Sequence, residues 1–223
     1  MGRSRVKPAP TPPVTSRGRR TRDALISAGR EILEHRGWAA FSPETVAQAA
    51  GVSYGTFYNY FKSKDDLLRS VVHAVAGEMF TSSLVSPETA DDPYTRIVES
   101  NRRYLRAWSK SSKVLRLVDR GADSDETLRR LILEIRELYV NRGAEGIRRL
   151  QEAGLADRTL DARLTAIALG AMVEQVAHIL YTLREPLDEE DMVDHLSRLW
   201  AAGIGLRTAG DVGRPGSGDA LNA

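Results

Sequence analysis

Residues Ser42–Lys64 read SPETVAQAAGVSYGTFYNYFKSK. The stretch codes two short helices joined by a tight turn. Ser42 supplies an N-cap oxygen, Pro43 suits the first helical position, and Glu44 lies beside the positive helix end. Val46, with Ala47 or Ala50, gives this helix a buried edge over roughly Pro43 to Ala50. Gly51 can take the left-handed conformation that ends it, Val52 plugs the turn, and Ser53 caps a second helix running to about Phe61. Phe57 and Phe61 lie four apart, so they share one face and anchor it in a core. The opposite face carries short donors and acceptors. A short helix clamped on one side and polar on the other is the construction of a helix-turn-helix, whose second helix enters the DNA major groove.

Upstream, a helix is expected from about Arg17 to Arg36, with Leu25, Ala28, Ile32 and Leu33 as its apolar stripe and Gly37 at its end. Trp38 and Phe41 add bulk to the same small core. Downstream, Ser63 caps a fourth helix, with Asp66 at its third position in a carboxylate form of the capping box. Leu67, Leu68, Val71, Val72 and Val75 carry that helix inward.

Almost every other segment has helical period, and no convincing alternating strand is present. The expected fold is all-α: an N-terminal three-helix helix-turn-helix domain plus a C-terminal helical ligand-binding and dimerisation domain, about nine helices in all. The expected divisions are a disordered basic arm over 1–16, the DNA-binding domain over 17–65, the second domain over 66–207 and a disordered tail over 208–223. In the second domain Leu128, Leu131, Ile132, Ile135, Leu138 and Tyr139 make one stripe, and Met192, Leu196, Leu199, Trp200 and Ile204 another. Gly143 and Gly146 interrupt a helix at about 1 kcal/mol each relative to Ala, which predicts a bend or a close helix crossing.

Charge agrees with this division. Residues 1–64 hold eleven Lys/Arg against four Asp/Glu, a formal +7, and the rest hold twenty-one against twenty-six, a formal −5. The basic front end suits a polyanion. The chain has no cysteine, which excludes disulfides, thiolate metal sites and cysteine redox sensing. Its four histidines are scattered, so no metal site is expected, and no cofactor. No apolar run is read as a membrane span and residues 1–22 lack a secretory signal, so the expected location is cytoplasmic, without a membrane partner. No nucleophile elbow, phosphate loop or dinucleotide fingerprint is present, which argues against an enzyme.

The chemistry of the polar face follows from residue type. Tyrosine hydroxyls, Lys62 and Lys64 suit phosphates, Asn59 can read an adenine edge, and the Thr56 methyl can touch a thymine methyl. Gly55 lets the backbone approach DNA with no side chain in the way. Ser53, Tyr54, Tyr58 and Tyr60 complete the candidate DNA face. Arg17, Arg19, Arg20 and Arg22 are either an arm reaching DNA or a solvated basic stretch, and the residues favour neither.

The run AGVSYGTFYNYFKSKDDLL closely resembles the signature of the TetR/AcrR family of bacterial transcriptional regulators, and REILEHRGW fits the family's first helix. The specific match covers roughly residues 20–70. The resemblance implies an all-helical homodimer that binds double-stranded DNA through a three-helix domain and a small-molecule effector through a variable second domain. By position, Tyr58 and Lys64 match the family's usual phosphate contacts. Ser53, Tyr54, Gly55 and Tyr60 match groove-facing positions, and Ser42 matches a residue that often touches phosphate. The chain departs from the pattern at Phe41, where the family often has a small hydroxyl residue, and at Pro43.

The resemblance also implies an enclosed pocket, which Tyr104, Trp108, Tyr139, Met172, Gln175, His178 and Tyr181 are suited to line around a largely apolar effector. For each of these singly, ordinary core packing is the commoner role. The last two helices, with small Ala166, Gly170 and Ala177 and bulky Leu196 and Trp200, are expected to form a dimer interface, the alternative being packing within one protomer. The expected function is a ligand-responsive regulator, a repressor released by its effector. Two rivals remain: a helical small-molecule-binding protein without DNA activity, and a helical enzyme.

Overall fold

A computed structural model describes residues 15–85, 92–122 and 126–207. Among them every regular element is helical: α1 Ser16–His35, a 3-10 turn Trp38–Ala40, α2 Pro43–Ala49, α3 Tyr54–Tyr60, α4 Lys64–Ser82, α5 Pro93–Ala122, α6 Glu126–Glu152, α7 Ala162–His178, a π-helical turn Ile179–Leu183 and α8 Glu189–Gly203. These are eight α-helices against the nine or so expected. The tail over 208–223 lies outside the described residues, as does the arm except for Thr15 and Ser16. Those two belong to α1: the Thr15 hydroxyl accepts the Gly18 N–H at 3.1 Å and caps the helix. Arg17, Arg19, Arg20 and Arg22 therefore stand on a helix rather than in a loose arm.

By internal contacts the chain divides into two compact units, Met1–Met79 with Ser111–Leu133, and Phe80–Lys110 with Glu134–Ala223.

In the first unit α1 packs on α2 and α2 on α3. Its core is Leu25, Ala28, Ile32, Leu33, Phe41, Val46, Ala47, Phe57, Phe61, Leu67, Leu68, Val71, Val72 and Val75, all buried. Full burial of a side chain of this size stabilises by about 1.5–3 kcal/mol. Gly37 at φ 75° and Gly51 at φ 68° end α1 and α2 in the left-handed region that favours glycine. Phe41 is buried because Gly29 makes room for it: a Cβ on Gly29 would sit 3.2 Å from the Phe41 ring and equally close to Leu67. Arg30 on α1 pairs with Glu34 at 2.7 Å and with Glu78 on α4.

The second unit holds a core of Ala144, Ile147, Ala156, Ala162, Ala166 and Ile204, with Leu150, Leu169 and Trp200 packed against it. The expectation at Gly143 resolves as a close crossing within a continuous α6: a Cβ there would lie 3.2 Å from the Ala166 Cβ on α7. Asn101 on α5 donates to Ser197 on α8 at 3.1 Å, and Ser197 donates to the Val193 carbonyl at 2.6 Å, a satisfied buried polar link. Arg102 grips Glu190 with two nitrogens, at 2.8 Å and 3.1 Å. Leu138 and Leu199, placed by their spacing in buried stripes, are exposed.

Two expectations are corrected here. Ala166, Ala177 and Leu196 are buried inside their own unit, and Trp200 is half-buried against its core, so close packing within the protomer uses their faces. Of the proposed interface residues, only Gly170 stands open to solvent. Second, Ala162–Leu183 is long and apolar enough to cross a membrane by length and composition, which the sequence reading overlooked. Only 22% of the 18-residue apolar window within it is buried. Its exposed face carries Leu164, Ile167, Ala168, Ala171 and Gln175, a stripe at helical spacing.

Candidate functional site

The helix α3 is fixed from both ends. At its start the Ser53 hydroxyl accepts the Thr56 N–H at 3.2 Å and lies 2.8 Å from the Thr56 hydroxyl. At its end Phe61 leaves the helical conformation, and its ring packs 5.7 Å from that of Phe57. Both rings are sealed, Phe57 at 0% exposure and Phe61 at 1%. With that face buried, the opposite one has to look outward. Tyr54 is 49% exposed, and Ser53, Gly55 and Asn59 are exposed with it. Thr56, Tyr58 and Tyr60 are half-buried. Nothing stands closer than 4.0 Å to the space a Cβ on Gly55 would fill.

The tyrosines form a pair. The Tyr54 and Tyr58 hydroxyls lie 3.0 Å apart and their rings meet edge to face at 5.1 Å. Tyr58 also packs edge-on against Phe57 at 5.2 Å, which ties the exposed pair to the core. The hydrogen bond with Tyr58, then desolvation and the nearby Glu44, push the Tyr54 phenol up to about 12. Near neutral pH Tyr54 thus keeps its proton and does not repel phosphate.

The two lysines follow at once. Lys62 is exposed, and its backbone N–H donates to the Asp66 carboxylate at 2.9 Å while the Asp66 N–H donates to Ser63 at 3.1 Å. This exchange starts α4 and fixes the angle at which it leaves α3. The Lys64 ammonium sits 4.6 Å over the Trp38 ring, which is stacked on Phe41. Sequence reasoning took Trp38 for core bulk; it is exposed enough to act as a platform for Lys64. Ser42 caps α2 by accepting the Thr45 N–H at 3.2 Å, with Thr45 bonding back to the Ser42 N–H.

The four arginines of α1 separate. Arg17, Arg19 and Arg20 are exposed. Arg22 donates to Ser70 at 3.0 Å and covers the Phe61 ring at 5.3 Å, so it braces the aromatic clamp instead of reaching outward.

In the second unit the expected pocket residues part company. Tyr104, Trp108 and Tyr139 meet: Tyr104 lies 6.0 Å from Trp108 and 5.4 Å from Tyr139, ring to ring. Phe80 extends the cluster, edge-on to Tyr139 at 5.2 Å. Arg142 crosses it, 4.9 Å over Phe80 and 5.1 Å over Tyr139, and donates to the Ser83 hydroxyl at 2.9 Å. Burial pushes the Arg142 guanidinium below its ordinary value and the Tyr104 and Tyr139 phenols above theirs, Glu174 adding to the rise at Tyr104. Cation–π contact returns about 2 kcal/mol to a desolvated guanidinium, less than an unpaired buried charge costs. Phe80, Ser83 and Arg142 escaped the sequence reading, because an arginine on a helix reads as solvated.

The remaining pocket candidates lie elsewhere. Gln175 is exposed on the outer stripe of α7, which corrects its assignment to an enclosed pocket. The Tyr181 hydroxyl is spent on Glu189 at 2.5 Å, and burial with that bond raises its pKa. Met172 and His178 are half-buried on α7. The π-helical turn that follows ends at Arg184, a non-glycine residue in the left-handed region at φ 61°. Among the described residues no group of acidic and histidine side chains could hold a metal ion.

Comparison with known proteins agrees with this geometry. A family model described as bacterial regulatory proteins of the tetR family matches residues 25–71, and one described as the C-terminal domain of transcriptional regulator EthR matches residues 97–205. The HTH-type transcriptional regulator EthR of Mycobacterium tuberculosis is 25% identical over 187 residues, covering 81% of this chain and 85% of that protein. The HTH-type transcriptional regulator BetI of Rhizobium meliloti is 27% identical over 141 residues, covering 61% of this chain and 69% of that protein. A crystal structure of a TetR-family regulator from Rhodococcus sp. superposes with a TM-score of 0.70 at 23% identity, covering 83% of this chain and 99% of that one. The fatty acid degradation regulator FadR from Bacillus halodurans does so with a TM-score of 0.67 at 22% identity, covering 84% and 97%. At such identities the structures speak for the fold alone.

Proposed function

Since the chain belongs to the TetR family of bacterial transcriptional regulators, we propose that α3 enters the major groove of an operator and that an effector bound in the second unit controls its hold. The observation that carries this is the two-sided character of α3: Phe57 and Phe61 are sealed, while Tyr54, Gly55 and Asn59 stand open. In this reading Asn59 and Thr56 meet base edges. Ser42, Tyr58, Lys62 and Lys64 hold phosphates, and Ser53, Tyr54 and Tyr60 line the groove. Arg17, Arg19 and Arg20, on the exposed side of α1, add phosphate contacts.

Two copies act together on a near-palindromic site, their α3 helices about 34–36 Å apart if the half-sites follow one-turn spacing. The exposed stripe of α7 from Leu164 to Gln175, continued by Leu199 on α8, supplies the face between them. The protein acts as a repressor on chromosomal DNA in the cytoplasm. Effector binding favours a conformation in which the two α3 helices no longer fit the operator, at a coupling of about 1–3 kcal/mol.

Fluorescence anisotropy against fragments of the DNA upstream of its own gene tests the reading, over a range of salt. Binding is expected to weaken steeply with salt. Lys64→Ala should reduce the salt slope by about 1 for one lost phosphate contact, with circular dichroism confirming that the variant is folded. Absence of binding to every upstream fragment at low salt would favour a helical small-molecule-binding protein without DNA activity.

A further inference from the structure

The aromatic cluster of the second unit holds a cation whose compensation is incomplete. Arg142 is largely buried between Phe80 and Tyr139, and its one hydrogen bond among the described residues goes to Ser83, a neutral hydroxyl. That hydroxyl gives its own proton to the Phe80 carbonyl at 2.9 Å. Among the described residues no carboxylate pairs with Arg142. The contrast with its neighbours is sharp: Arg136 on the same helix has Glu174 at 2.7 Å, and Arg163 has Glu137 at 2.7 Å.

Two polar atoms in the same ring cluster are also unpaired. The indole N–H of Trp108, a residue only 6% exposed, and the hydroxyl of Tyr139 are buried with no hydrogen-bond partner in the protein. Ser83 exerts a weak pull on the Tyr139 hydroxyl but falls outside hydrogen-bonding geometry. Buried donors are nearly always satisfied, so two unmet donors in a cluster that also holds a cation need an explanation. The ring contacts Trp108–Tyr104–Tyr139–Phe80 form one continuous chain, so the cation, both donors and the apolar surface belong to a single cluster. A neutral apolar molecule would use the rings and leave every one of these polar groups as it is. A carboxylate matches them: it pairs with a guanidinium through two oxygens and still accepts from a neutral donor.

We propose that the effector is a small organic acid whose carboxylate pairs with Arg142 and accepts from Trp108 or Tyr139, its apolar body lying against the rings. The proposal rests on the reading of the second unit as the effector-binding part, and it replaces a largely apolar effector with an amphipathic anion. Arg142 sets the preference for acid over neutral compounds, and the rings set the preference for apolar bodies.

The test uses the full chain without DNA, so its failure leaves the operator reading standing. Calorimetric titration compares 3-phenylpropanoate and decanoate with their amides, while the Trp108 indole N–H resonance, assigned with Trp108→Phe, is followed by NMR. At least one acid is expected to bind about tenfold or more tighter than its amide and to move that resonance downfield. Arg142→Gln should abolish the preference, and Arg142→Lys should keep part of it. Should Arg142→Gln fail to fold, the acid–amide comparison in the unaltered protein and in Arg142→Lys decides. Equal affinity for acid and amide, a preference that survives Arg142→Gln, or no binding of either acid at about millimolar concentration would overturn the proposal.

Discussion

At the scale of single residues, the exposed face of α3 is a matter of proton positions. Tyr54 and Tyr58 share one hydrogen bond, and Tyr54 keeps its proton up to about pH 12, against about 10 for a free tyrosine. The sign follows from the raised value. The stabilisation linked to that proton is complete below the unfolded value and is lost as pH climbs through the folded one. Tyr58→Phe removes the partner and should return the Tyr54 transition toward about 10, read from the phenolate absorbance band or from ring-carbon shifts. A transition that stays near its present position would assign the shift to desolvation and Glu44 instead. Legibility divides at this same scale. The exposure of Ser53 and Asn59 was readable because short polar side chains opposite two phenylalanines have one natural place to go. Gly29 was not, since nothing local says that a glycine inside a helix leaves space for Phe41, twelve positions away in the core. Arg142 was not, since a helix pattern does not say which charges lose their water.

Elements were easier to read than their partners. The starts of α2 and α3 were legible because Ser42 and Ser53 each accept a backbone N–H three residues on. Caps are local, and local signals survive in sequence. The crossing of α6 and α7 was half legible. Gly143 announced a close approach and Ala166 a thin helix face, but only three-dimensional packing shows that the two meet each other and not a second copy. Gly143→Leu should force these helices apart and cost about 1–3 kcal/mol of stability, measured by urea unfolding. A variant as stable as the parent would mean that the crossing relaxes freely. The π-helical turn after α7 had no legible signal, because an extra residue in a helical turn leaves the apolar period almost intact.

At the scale of the whole molecule, an apolar stripe on α7 faces solvent in the single chain. Leu164 is 67% exposed and Ile167 42%, alongside Ala168 and Ala171. In the proposed dimer that stripe is covered by a second copy. Leu164→Glu combined with Ile167→Glu should leave a folded chain that sediments as a monomer in analytical ultracentrifugation. It should also bind operator DNA far more weakly, because two half-sites are no longer gripped at once. A double variant that remains dimeric would move the interface elsewhere. Mass action then ties survival to abundance. Where copies are scarce, each newly made chain meets water with an oily strip bare, open to proteases and to faulty assembly. Thus the supply of working regulator falls off faster than its rate of synthesis.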